Sequence, residues 1–87
     1  MKLHRNIAFG IVDGLHQILK KNEAIRPCLN KLLKQNRKWG SRDRRQLGEA
    51  ILDCIRWKRT YEYLGSINIK SKNYYWELLG VWLLTKG

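Results

Sequence analysis

The chain has 87 residues, with 18 Lys and Arg against 7 Asp and Glu, a formal net charge of +11 and a hydrophobic share of 44%. That share excludes a disordered tail, and the length allows one small domain with little core to spare. A charge this large for the size points first to nucleic acid and second to an acidic membrane surface.

The opening "MKLHRNIAFG" turns amphipathic at once and has no long apolar run. From there Ile7, Ala8, Ile11, Val12, Leu15, Ile18 and Leu19 fall on one face of a helix. Gly10 and Gly14 sit one turn apart within it, each costing about 1 kcal/mol against Ala. They either admit a neighbouring helix or are incidental. Ile25, Cys28, Leu29, Leu32 and Leu33 form a second stripe, with Pro27 in its first turn, where a missing N–H costs least. The pattern breaks over residues 36–40. Ser41 is a good N-cap for a third helix, and Asp43 suits the positive end of its dipole.

The third helix has the clearest period, in Leu47, Ala50, Ile51, Cys54, Ile55, Lys58 and Tyr61. Lys58 alone breaks the stripe, and its long stem can snorkel. The helix is expected to run to about Leu64. Residues 65–72 form a connector, and Ser71 or Asn73 caps a fourth helix on which Tyr75, Leu78, Leu79, Trp82 and Leu83 align. Apolar residues cover nearly its whole circumference, so it asks for burial on all sides. Exposed apolar surface is therefore expected around Trp76, Val81 and Trp82, or self-association through this helix, or a longer protein of which this is the front piece. No stretch shows strand alternation or repeats. The fold class is all-α, a bundle of about four to five helices in one domain over residues 1–87.

No segment approaches the roughly 20 apolar residues that span a bilayer, so no membrane partner is expected. Cys28 and Cys54 lie singly on apolar faces, which favours buried inert thiols and a cytoplasmic location. His4 and His16 have no Cys or carboxylate at metal-ligand spacing, and no metal is expected. No phosphate loop or nucleophile elbow is present, and no catalytic residue is assigned.

The charge is concentrated. Eleven basic residues lie from Arg26 to Arg59 against Asp43, Glu49 and Asp53, which leaves +8 of the total +11. The stretch "RKWGSRDRRQ" alone holds Arg37, Lys38, Arg42, Arg44 and Arg45 against Asp43. On the third helix Arg45, Glu49, Leu52, Arg56 and Arg59 share the stripe opposite the apolar face. Local pairing of Arg45 with Glu49 and of Asp53 with Arg56 would absorb part of this charge. The remaining cations beside a helix N-terminus suit phosphate. Trp39 and Trp57 are candidates to stack on unpaired bases, although a Trp at a helix–loop junction is more often a packing residue.

In order, "RNIAFGIVDGL", "LNKLLKQNRKWGSRDRR" and "EAILDCIRWKRTYEYL" resemble the N-terminal NusB-like domain of the Sun/Fmu-type RNA cytosine-5 methyltransferases. The final "YYWELLGVWLL" is similar to that family's later core helix. The family begins one helix with an Asp-Arg pair, which Asp43 and Arg44 would occupy, and ends it with an Arg after an aliphatic run, which Arg56 would occupy. Asp53 stands where the family commonly has Gly. The resemblance implies an incomplete NusB-like bundle and a basic module that presents ribosomal RNA to a methyltransferase. The S-adenosylmethionine would belong to a C-terminal catalytic domain outside this chain, and no cofactor to the chain itself. The family's catalytic Pro-Cys lies in that other domain, so Cys28 in "RPCLN" takes no catalytic role. Asp43 and Arg44 would fasten the helix, while Arg37, Lys38, Arg42, Arg45, Arg56 and Arg59 face RNA. The alternatives are a free-standing adapter resembling the antitermination factor NusB, and a structural oligomerisation domain.

Overall fold

A computed structural model describes residues 4–35 and 38–86. Five α-helices follow one another: α1 (Arg5–Leu15), α2 (Ile25–Gln35), α3 (Ser41–Arg56), α4 (Lys58–Leu64) and α5 (Tyr74–Lys86). No strand occurs among the described residues, and the fold is an all-α bundle around one core. A π-helical turn over His16–Lys20 prolongs α1 and swings Ile18 into that core. It closes at Asn22, whose φ of 56° is a left-handed position that Asn tolerates.

The apolar stripes face inward. Ile7, Ile11 and Leu15 of α1 meet Leu47, Ala50, Ile51 and Cys54 of α3, with Cys28 and Leu32 of α2 beside them. The two glycines of α1 are contact points. A Cβ at Gly14 would lie 2.7 Å from the Ile51 Cδ1 and 2.9 Å from the Leu32 Cδ1. At Gly10 it would lie 2.7 Å from the Trp39 Cη2. Both positions therefore admit neighbours where a side chain would force them apart.

Two boundaries differ from expectation. Ser41 is the first residue of α3, and Gly40 precedes it in extended conformation with no side-chain cap. The third helix does not run unbroken to Leu64, because Trp57 leaves helical geometry at φ −106°, ψ 23° and divides α3 from α4. The bend brings Tyr61 into the core and spares Lys58 a place there. The Lys58 ammonium pairs with Glu62 at 3.0 Å and lies over the Tyr74 ring. At the far end of α4 the Ile67 N–H donates to the Glu62 carbonyl and the Ser66 N–H to that of Tyr63, with Ser66 at φ 50°. This is a Schellman closure with Ser where Gly is usual.

The fourth expected helix, α5, is not left half uncovered. Val81 and Trp82 are core residues, Trp82 at 0% exposure, because α1, α3 and α4 all pack on this helix. Trp76 stays at the surface at 40% exposure, edge-on to the exposed Phe9, and Leu84 is 83% exposed. No described helix is long and apolar enough to cross a membrane.

Candidate nucleic-acid interface

Burying Leu47, Ala50, Ile51 and Cys54 forces the opposite stripe of α3 outward. Arg42, Arg45, Glu49, Leu52 and Arg56 are all exposed. From Arg42 to Arg56 this stripe runs about 21 Å along the axis. Lys38 is exposed in the loop before it, and Arg59 is exposed just beyond the bend. Arg37 lies outside the described residues.

The acids that could neutralise the stripe look elsewhere. The Asp53 carboxylate accepts the Trp82 indole N–H at 3.0 Å, and its same oxygen lies 3.2 Å from the Lys86 ammonium. Lys86 also reaches Glu49 at 3.5 Å. The expected pairs Arg45–Glu49 and Asp53–Arg56 are thus replaced by contacts to α5. Among the described residues Arg42, Arg45, Arg56 and Arg59 make no ion pair.

At the α3–α4 bend Arg56, Trp57 and Arg59 line a recess of about 420 Å³ together with Ile55 and Thr60. The Arg56 guanidinium sits 5.8 Å from the Trp57 ring centre, and Trp57 is 48% exposed. The two candidate stacking residues therefore part ways. Trp57 offers a half-exposed ring beside two arginines, whereas Trp39 packs against α1 at Gly10.

Arg44 does not fasten to Asp43. Its Nε–H donates to the Trp39 carbonyl at 3.4 Å, a loop carbonyl, and Asp43 makes no ion pair among the described residues. Of the polar groups that do tie helices together, the sequence pointed only to Asp53, and to Arg56 as its partner. Besides Asp53 and Lys86 they are Glu62 and Tyr74, whose hydroxyl donates to the Glu62 carboxylate across α4 and α5. That bond, with help from Lys58, holds the Glu62 carboxyl below its ordinary value. Burial, then the carboxylate, pushes the Tyr74 phenol up.

Both thiols are buried and free. Burial, then Asp53, pushes Cys54 up to about 12, and burial, then Glu23 and Asp13, also raises Cys28. Neither is a ready nucleophile at neutral pH. Among the described residues no three His, Cys, Asp or Glu side chains converge as a metal site. Comparison with protein-family models, curated proteins and solved structures finds no match to this chain. The functional reading therefore rests on the residues themselves.

Proposed function

We propose that this chain is an RNA-binding accessory domain of a ribosomal RNA cytosine-5 methyltransferase that uses S-adenosylmethionine, with α3 as the RNA-facing element. One observation carries the RNA part. The exposed stripe of α3 carries Arg42, Arg45 and Arg56 without ion pairs, and Lys86 of α5 pairs with Glu49 and Asp53, the acids at helical spacing from Arg45 and Arg56. Unpaired arginines spaced along one helix face suit successive phosphates, and such contacts position a strand without reading its sequence. Trp57, half-exposed beside Arg56 and Arg59, adds a platform for one unpaired base. The methyltransferase part rests on the order of the sequence motifs around Asp43, Arg44 and Arg56. In this reading Lys38, Arg42, Arg45, Arg56 and Arg59 touch RNA, and chemistry belongs to a separate domain.

A second reading, an adapter that binds RNA jointly with a protein partner, draws on the solvent-facing Phe9–Trp76 pair. Both readings require α3 to bind RNA, and one experiment tests that. Arg42, Arg45 and Arg56 are reversed to Glu together, and Arg5, Lys21 and Arg26 likewise in a control of equal charge. The α3 variant should bind a single-stranded ribosomal RNA fragment at least about ten-fold more weakly than the control. Equal binding by the two variants would leave only bulk charge and remove the site.

A further inference from the structure

A second basic recess lies away from the α3 stripe, where the π-helical turn after α1 meets the connector that leads into α5. Its volume is about 540 Å³, within the range of small-molecule sites. Lys20, Lys70 and Lys72 stand around it, and His16, Tyr74 and Tyr75 supply rings. No acidic residue lines it, and none of its three lysines makes an ion pair among the described residues. The rings form a continuous wall, with His16 edge-on to Tyr75 at 5.7 Å and Tyr75 against Tyr74 at 5.2 Å.

The connector is shaped rather than loose. The Lys70 N–H donates to the Asn68 side chain at 2.9 Å, and the Asn73 N–H to the Ser71 hydroxyl at 3.2 Å. These turns set Lys70 and Lys72 beside the first turn of α5, whose 13 residues begin at Tyr74. The positive end of that helix dipole adds to the lysine field.

We propose that this recess takes one nucleoside phosphate, with the phosphate held by Lys20, Lys70 and Lys72 and the base laid against the Tyr75 and His16 rings. Three cations with no acid select an anion, and the ring wall distinguishes a nucleotide from a bare phosphate. The recess stands on its own geometry. It rests on the RNA reading only for the source of the nucleotide, taken as one unpaired residue of the strand that α3 grips. That would give the domain two anchor points on one RNA.

The test is nuclear magnetic resonance of the whole chain, following the His16 and Tyr75 ring signals. Three probes are added: uridine 5′-monophosphate, inorganic phosphate, and a 5′-phosphorylated uridine trimer. The nucleotide should shift both rings and bind at least about five-fold more tightly than phosphate, the contribution expected of one stacked base. The Lys70→Glu/Lys72→Glu variant, altered only at exposed positions, should lose the response. Tyr75→Leu should bring the nucleotide down to the level of phosphate. Reversal of Arg42, Arg45 and Arg56 should leave the nucleotide response intact while weakening long RNA, so the two sites fail separately. Tighter binding of the trimer than of the mononucleotide supports a strand as the source, and weaker binding overturns that source. Equal binding of nucleotide and phosphate, or no shift of either ring, overturns the proposal. So does binding to phosphatidylserine vesicles that the double lysine variant abolishes while the nucleotide gives no response.

Discussion

The two faces of α3 lie on one helix and differ in how their charges are used. On the side toward α5, Asp53 accepts from Trp82 and pairs with Lys86, and Lys86 draws in Glu49. Next along the same seam, Glu62 is held by both Lys58 and Tyr74. On the outer side Arg42, Arg45 and Arg56 are exposed with no ion pair. Acids that hold the helices together are not available to mask the arginines, so one arrangement stabilises the bundle and leaves a cationic stripe. Acids tied to α5 and unpaired arginines thus share a helix of little more than four turns.

The largest effect should come from the inner side. Trp82→Ala removes a fully buried ring and strips Asp53 of its donor, at a cost of about 3–5 kcal/mol by urea unfolding. For a domain this small that is a large part of its stability. Trp82→Phe keeps an aromatic ring but loses the N–H and leaves a smaller cavity, at about 1–3 kcal/mol. A loss under about 0.5 kcal/mol for both would break the claim that this seam holds the fold.

Lys86→Gln joins the two faces. Freed from Lys86, Glu49 and Asp53 lie three or four residues from Arg45 and Arg56, within helical pairing distance. RNA affinity should fall about three-fold to ten-fold, more than for Lys21→Gln, which removes the same charge. Stability should fall only slightly, since the Lys86 ammonium is solvent-exposed. Adding Glu49→Gln should recover much of the affinity. If it recovers none, Lys86 acts as an RNA contact and not through the acids.

These polar ties were the least legible part of the sequence. Asp53 and Trp82 are 29 residues apart, and no local spacing rule connects them. Helical spacing suggested Arg56 as the partner of Asp53, because only neighbours on one helix can be read that way. The apolar face from Leu47 to Cys54 was legible, since its period is a local signal, whereas Gly10 and Gly14 were legible only as candidates for close approach. In α5 the stripe through Leu78, Leu79 and Trp82 was legible, but apolar residues surround it and blur its edges. Val81 therefore could not be told from Trp76 until α1, α3 and α4 were in place. The recess at Lys20, Lys70 and Lys72 was invisible for the same reason, as its walls come from two distant segments.

Acid should act on the seam before it acts on the stripe. Glu62 has a folded-state carboxyl held below its ordinary value of 4.5, chiefly by the Tyr74 hydroxyl. A depressed carboxylate contributes stability that is present above 4.5 and is lost as pH falls through the folded value. Thermal stability should therefore begin to drop below about pH 4.5, and Glu62→Gln should flatten that part of the profile. An unchanged profile in the variant would assign the acid sensitivity to other carboxylates.

The smallest effect lies in neither face. Ser66 holds φ 50° at the end of α4, so Ser66→Gly should relieve up to about 1 kcal/mol of left-handed strain and leave RNA binding unchanged. A loss of stability would mean the Ser66 side chain contributes more than its backbone costs.

The most direct measurement of the central claim is the salt dependence of binding to a single-stranded ribosomal RNA fragment. Each phosphate contact contributes about 0.7 to the slope of log affinity against log salt for a single strand. Neutralising Arg42, Arg45 and Arg56 to Gln should lower that slope by roughly 2, with little change in thermal stability. Neutralising Arg5, Lys21 and Arg26 should lower it far less. An unchanged slope in the α3 variant, or an equal fall in both variants, would show that the outer stripe of α3 does not hold the strand.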